Sequence, residues 1–422
     1  MGDGTGGQKR DYIWNTAAGC INAAEAVVMS MVVTRVTGLA DAGMLTMAFA
    51  VGNLMMTVGK FGVRNYQVTD VGNQFSFSTY LTVRLMTVLT MIVTVCTYLG
   101  YMRVRAGYSL DKTGIVFAIC MIYAVEALED LIWGYYQQKG KLYVGAAMFC
   151  LRWGGILLLF PIALYSSHDL AHTLLVCLGV STIIFLILLG VSYPRLCSRE
   201  DRFSELVRGK ADWRQAWKLL RMVFPLFGIS FLSFYENNAP KYAIDACLSD
   251  EVQACYGFVA MPVFVIGLLN NLIYQPTLVP MAVEWEQGQW ERFGKRIARQ
   301  LVVIVALTIA CMGGAYLLGI PVLSLLYNTN LTAYKGELLV LLMASAFLAT
   351  SGYQSVVLTI IRCQRMLLLP HCVVAIIAAV GLPSIVATYG TMGAAVCYLA
   401  LMILLTLTYG GILIIKLRGS KR

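Results

Sequence analysis

Residues 40–64 read ADAGMLTMAFAVGNLMMTVGKFGVR, and two patterns overlap in them. Positions 42–59 carry no charge, and about 20 apolar residues in a helix cover a hydrocarbon core roughly 30 Å thick. The apolar residues run on continuously instead of alternating, which selects a membrane-crossing helix over a barrel strand. The second pattern is polar. Thr46, Asn53, Thr57, Lys60 and Arg64 recur at helical spacing and form one stripe that ends in two cations.

Comparable apolar runs fill the chain. Spans are expected at 11–37, 40–64, 80–102, 113–138, 142–165, 170–193, 222–246, 252–283, 300–327, 337–361, 366–388 and 391–415, twelve in all. Of the 422 residues 59% are apolar and 13% charged, about half the charge of a soluble domain, and the mean hydropathy is +0.73. Soluble enzymes, secreted disulfide scaffolds and disordered chains are excluded, and an all-α polytopic membrane protein remains. The Gly-rich opening Met1–Gly7 predicts no removable signal peptide.

Twenty-five of the 32 Lys and Arg residues fall on the side of the N-terminus and six on the opposite side. The positive-inside rule therefore predicts that both termini are cytoplasmic. It also explains the net charge of +10 without a nucleic-acid partner. The expected organisation is an N-terminal six-helix bundle over 1–197, a basic amphipathic cytoplasmic linker over 198–221, and a C-terminal six-helix bundle over 222–422. Trp213 and Trp217 suit a helix lying in the headgroup region, as do Trp290, Phe293 and Ile297 in the segment 285–299. Glu25 falls opposite Glu236 at an offset of about 210 residues, so the two bundles are expected to be pseudo-symmetric parallel repeats.

Charges within a bilayer are expensive and face a cavity or a partner. Here they concentrate in spans one, two, four, five and seven. Lys60 and Arg64, with Arg84 at the start of span three, either line a basic cavity or snorkel to the interface. Span seven repeats the stripe with Ser230, Ser233, Asn237 and Lys241, and span ten offers Ser351, Gln354, Ser355 and Arg362. Span four carries Glu126, Glu129 and Asp130, and Arg152 in span five lies at matching depth, roughly 18 Å from the turn near Gly140 at 1.5 Å per residue. An Arg152–Glu129 ion pair is expected. Three acids facing one base leave a surplus carboxylate, and a proton or sodium site is the alternative. Glu25, near mid-membrane with Asn22 one turn before it, is open among a protonated group, a distant ion pair and a coupling-ion ligand, as is Glu236. Pro262, Pro276 and Pro280, with Asn270 and Asn271 between them, predict a bent or broken span eight. His168, His172 and His371 form no metal spacing, the cysteines form no C-x-x-C pair, and no phosphate-binding Gly-rich loop is present. No metal, cofactor or catalytic residue is expected.

Val33-Thr-Arg-Val-Thr-Gly38, Asp41-Ala-Gly43, Asn53 and Gly59-Lys-Phe-Gly-Val-Arg-Asn-Tyr-Gln67 resemble the first two helices of bacterial polysaccharide (O-antigen or capsule) flippases, and Glu236–Tyr256 resembles their seventh. These belong to the multidrug/oligosaccharidyl-lipid/polysaccharide exporter superfamily, and the resemblance extends over the whole chain. It implies a V-shaped pair of bundles around a central cavity lined chiefly by spans one, two, seven and eight. It further implies export of undecaprenyl-diphosphate-linked oligosaccharide across the inner membrane by alternating access; protons, sodium and membrane potential stay open as the driving force. Membrane lipids and polymerase or glycosyltransferase partners are implied as well. The cations expected to serve the diphosphate, with their polar neighbours, are Arg35, Asn53, Lys60, Arg64, Arg84, Asn237, Lys241 and Arg362. The coupling-ion candidates are Glu25, Glu126, Glu129, Asp130 and Glu236. A cation-coupled multidrug antiporter on the same fold is the first alternative, kept open by the acids. A membrane polysaccharide polymerase or ligase is the second, disfavoured by the short outer loops.

Overall fold

The computed structural model describes residues 4–70, 72–196, 212–274 and 277–420. The linker residues 198–211, Pro276 and the side chains of Asn270 and Asn271 lie outside the described residues. The described chain is helical and contains no strand. It divides into two compact units, Met1–Phe234 and Tyr235–Arg422.

The first unit contains α1 (Gly4–Val36), α2 (Leu39–Lys60), the short α3 (Val63–Thr69), α4 (Phe77–Arg105), α5 (Leu110–Gln138), α6 (Leu142–Ser167), α7 (Leu170–Leu196) and the start of α8 (Trp213–Cys247). At its centre is α5, packed by α2, α3, α4, α6 and α7. Of its 29 residues 18 are buried, Glu126, Glu129 and Asp130 among them. Its flanks are protein, not lipid, which is why the most enclosed helix can hold the acids. Close approach of α2 depends on small residues. A Cβ at Gly52 would stand 2.8 Å from the Tyr123 ring, and one at Gly59 would stand 2.8 Å from Met91 Sδ.

Span two is not one continuous helix. α2 stops at Lys60, and Phe61 (φ 47°) and Gly62 (φ 70°) both adopt the left-handed conformation before α3 begins. Glycine takes that conformation freely, whereas Phe61 pays about 1–2 kcal/mol for it. Its ring stacks on Phe227 of α8, with centroids 4.1 Å apart and planes 10° from parallel, an interaction worth about 0.5–1.5 kcal/mol. Residues 213–221 also differ from expectation. They are the first turns of α8 itself, anchored where Ala216, Leu219 and Val223 pack with Val63, Phe75, Tyr80, Val83 and Leu131, while Trp213 and Trp217 stay exposed.

The second unit holds the remainder of α8, α9 (Asp250–Tyr274), α10 (Leu278–Glu286), α11 (Trp290–Gly314), α12 (Ile320–Tyr327), α13 (Lys335–Ile360) and α14 (Leu368–Ser420). Here α13 is central, packed by α9, α10, α11 and α14. Residues 290–299, expected as an interfacial segment, begin α11. Pro321 cannot donate a backbone hydrogen bond, and the backbone before it widens into a π-turn over Ala315–Gly319. Gly390 (φ 60°, ψ −145°) breaks α14 into two crossings.

Among the described residues nine helical stretches are long and apolar enough to cross a membrane. The broken stretch Gln364–Arg418 supplies two crossings, and α5 and α9 complete the twelve. α5 falls outside the nine because of the charges at its core.

Candidate functional site

The polar stripe of α2 and the acids of α5 meet inside the first unit. Lys60 Nζ donates to Glu126 Oε1 at 3.0 Å. Arg64 donates to Asp130 Oδ1 at 3.2 Å and to Gln137 Oε1 at 2.9 Å, with its guanidinium 4.3 Å over the Trp133 ring. The left-handed pair at 61–62 lets Arg64 turn back toward Asp130 although α2 has ended. Arg84 of α4 donates to Asp130 Oδ2 at 2.9 Å and to the Gly59 carbonyl at 2.8 Å, where the Thr87 hydroxyl also donates. The last carbonyls of a helix lack intrahelical partners, so Arg84 and Thr87 close the end of α2.

Arg152 donates to Glu129 Oε2 at 2.8 Å, to Ser181 Oγ at 3.2 Å and to Glu126 Oε2 at 3.4 Å, and Trp153 Nε1 donates to Glu126 Oε2 at 2.9 Å. The surplus carboxylate expected from α5 and α6 alone is absent, because Lys60, Arg64 and Arg84 come in from α2, the turn after it and α4. Glu25 is buried and accepts from the Tyr123 hydroxyl at 2.8 Å. Four acids thus stand beside four bases, and the sum is neutral with Glu25 ionised and +1 with it protonated. Buried charges persist only when paired and hydrogen-bonded in this way.

Exposure separates the cations by role. The Arg84 and Arg152 side chains are fully enclosed, whereas those of Lys60 and Arg64 are 30% and 22% exposed. Snorkelling therefore does not describe Arg84, which is a structural tie. Lys60 and Arg64, together with Asp130, form the wall shared by two clefts of about 260 and 650 Å³. Lys carries three donors and Arg five. The bonds described use one on Lys60 and two on Arg64, so donors remain for an anion at this shared wall.

The other expected residues lie elsewhere. Asn53 donates back to Phe49 of its own helix. Arg35 is exposed in the last turn of α1, and Arg362 is exposed in a left-handed turn after α13. In the second unit, Lys241 donates to Asn238 at 3.2 Å and Asn237 accepts from Tyr398 at 3.0 Å. Glu236 lies 2.8 Å from Nδ1 of buried His371. Sequence reasoning passed over His371 because its partner is 135 positions away. It also passed over Trp153 and Tyr123, although Tyr123 stands one turn before Glu126 on the same face. Among the described residues no group of three or more His, Cys, Asp or Glu is placed to hold a metal ion.

Three known structures share the fold of this chain. The first is the lipid II flippase MurJ in an inward closed conformation (TM-score 0.70, 11% identity, 94% of this chain and 86% of that one). The second is an inward-facing multidrug resistance MATE family transporter of the MOP superfamily (TM-score 0.66, 14% identity, 95% and 94%). The third is a MOP superfamily transporter from Pyrococcus furiosus (TM-score 0.61, 13% identity, 99% and 96%). No curated protein matches the chain by sequence. Residues 9–286, well over half of the chain, match the family described as polysaccharide biosynthesis protein. The chain belongs to the polysaccharide biosynthesis protein family and carries the fold of the multidrug/oligosaccharidyl-lipid/polysaccharide exporter superfamily.

Proposed function

We propose that the protein is a flippase that moves an undecaprenyl-diphosphate-linked oligosaccharide across the cytoplasmic membrane by alternating access, for cell-surface polysaccharide export. The observation that carries this reading is the pair Lys60 and Arg64, partly exposed with donors to spare on the wall shared by two clefts, in a member of a polysaccharide biosynthesis family. Cations with free donors suit diphosphate oxygens. With both termini cytoplasmic, Lys60 and Arg64 stand at the entry side. Arg35 and Lys241, toward the outer ends of α1 and α8, serve the exit side. Glu25 is the coupling-ion ligand of the first unit, since among the described residues it alone of the four acids there forms no salt bridge. Glu236 is the counterpart in the second unit. Membrane lipids and a polymerase or glycosyltransferase are the expected partners.

The antiporter alternative asks for an acidic cavity. Glu126, Glu129 and Asp130 are each tied to a cation, which weighs toward an anionic substrate.

The test is complementation of a deletion strain with followed lipid-linked sugar. Lys60→Gln and Arg64→Gln are expected to cut export more than tenfold at unchanged protein level, with lipid-linked units held on the inner leaflet. Full export by both variants overturns the reading. Accumulation on the outer leaflet in the deletion strain points to a ligase, and drug resistance without a glycan phenotype points to the antiporter.

A further inference from the structure

The diphosphate in the proposed function has two substituents, a polyprenyl chain and a sugar, and the two clefts beside Lys60 and Arg64 differ in chemistry. The larger cleft presents Met56, Val68 and Phe234 beyond the shared wall. The smaller is bounded on one side by α1, where Asn15, Ala18, Gly19 and Asn22 recur at positions i, i+3, i+4 and i+7 and so share one helix face. The two small residues leave a recess between two amides. A Cβ added at Gly19 would meet no atom within 4 Å, so the recess is open.

The opposite wall carries Glu126, Glu129, Trp133 and Phe149. Two of its polar atoms are buried without a hydrogen-bond partner, Glu129 Oε1 and Trp133 Nε1. One is an acceptor and the other a donor. Leaving such groups unpaired costs about 1–3 kcal/mol each, so the wall holds an unused acceptor and an unused donor just beneath the cleft surface. The carboxylates disfavour an anion inside the recess, and the polar lining disfavours an apolar guest. A polyol matches the amides, the carboxylates and the ring that line the cleft. Its hydroxyls donate to carboxylate and accept from amide or indole N–H, and the Phe149 ring offers an apolar surface for the C–H face of a sugar. A volume of about 260 Å³ lies just below the roughly 300 Å³ at which drug-sized pockets begin, room for a single ring.

We infer that the smaller cleft is a monosaccharide subsite, which receives the first sugar attached to the diphosphate while Lys60 and Arg64 hold the phosphates. Asn15 and Asn22 are its specificity-determining residues. The inference rests on the flippase reading, and its test separates the two.

Purified full-length protein in nanodiscs is titrated with undecaprenyl diphosphate and with undecaprenyl diphosphate bearing one N-acetylhexosamine. The wild type is expected to bind the sugar-bearing lipid more tightly. Asn22→Ala and Asn15→Ala are each expected to lose about fivefold for that lipid, the effect of one hydrogen bond, and to bind the bare lipid unchanged. Gly19→Leu projects into the open recess from a position where a Cβ meets no neighbour and is expected to abolish the preference for the sugar-bearing lipid. Lys60→Gln weakens both lipids. Equal wild-type affinity for the two lipids overturns the subsite, as does a parallel loss for both in the Asn22 and Gly19 variants. Failure of the wild type to bind either lipid overturns the flippase reading as well.

Discussion

The helices at the centres of the two units, α5 and α13, solve the same packing problem with different chemistry. α5 buries 18 of its 29 residues and carries three acids paired with four cations from neighbouring segments. α13 buries 12 of its 26 residues and offers chiefly neutral polar groups, such as Ser345, Ser351 and Gln354, with Glu337 near its start accepting from Thr391 at 2.9 Å. In the second unit the most enclosed acid–base contact among the described residues lies off the central helix, between Glu236 of α8 and His371 of α14. The contrast separates two uses of polarity in a membrane protein. A ring of surrounding helices allows one unit to store a network of charges, two cations of which stay partly exposed at a cleft. Among the described residues of the other unit, the fully enclosed acid–base contact is that of Glu236 with His371, while Glu284 pairs with the partly exposed Arg296.

The largest expected effect breaks the network at its enclosed end. Arg152→Leu leaves Glu129 and part of Glu126 without their counter-charge and is expected to destabilise the protein by about 3–5 kcal/mol, measured by thermal unfolding in detergent. Replacing both partners (Arg152→Leu with Glu129→Leu) is expected to cost less than the single change, because no carboxylate is then orphaned. In the second unit His371→Phe leaves Glu236 without its partner and is expected to cost about 1–3 kcal/mol. A loss at His371 equal to that at Arg152 would erase the distinction between a network and an isolated pair.

The smallest effect is at the edge of the first unit. Asp70 accepts from the backbone N–H groups of Gln74 and Phe75 and from the Tyr80 hydroxyl, at 2.8, 3.1 and 2.8 Å. Burial by itself would raise its carboxyl, but these three donors together hold it below the ordinary carboxylate range. A depressed folded-state value stabilises above the unfolded value near pH 4 and loses that contribution as pH falls through the folded one. Asp70→Asn is therefore expected to lower thermal stability at neutral pH, with the gap to the wild type closing as the pH drops below about 4. A gap that widens on acidification would contradict the role of the ionised form.

Much of the site could be read from residue spacing. The α2 stripe pointed to Lys60 and Arg64, and the depth of Arg152 pointed to its acids, because helical periodicity and distance from a turn are local quantities. Local reasoning failed where the partner is remote. By spacing alone Arg84 is open between lining a basic cavity and snorkelling to the interface, and in the structure it is fully enclosed, tied to Asp130 46 positions away. The continuous span expected over 40–64 is interrupted because Phe61 accepts a left-handed backbone that no propensity predicts, supported by a ring on α8. His371 looked like a lone residue in an apolar run.

By itself the sequence determined the helical class, the positions of twelve crossings and the identity of the charges placed at depth, because hydropathy, length and period are carried by neighbouring residues. Only the tertiary structure decided which of those charges neutralise one another and which two remain partly open to a cleft. Lys60 meets Glu126 across 66 positions and Glu25 meets Tyr123 across 98. Such pairings follow from which helices pack side by side, a non-local outcome of burying each unit's core that no single helix encodes.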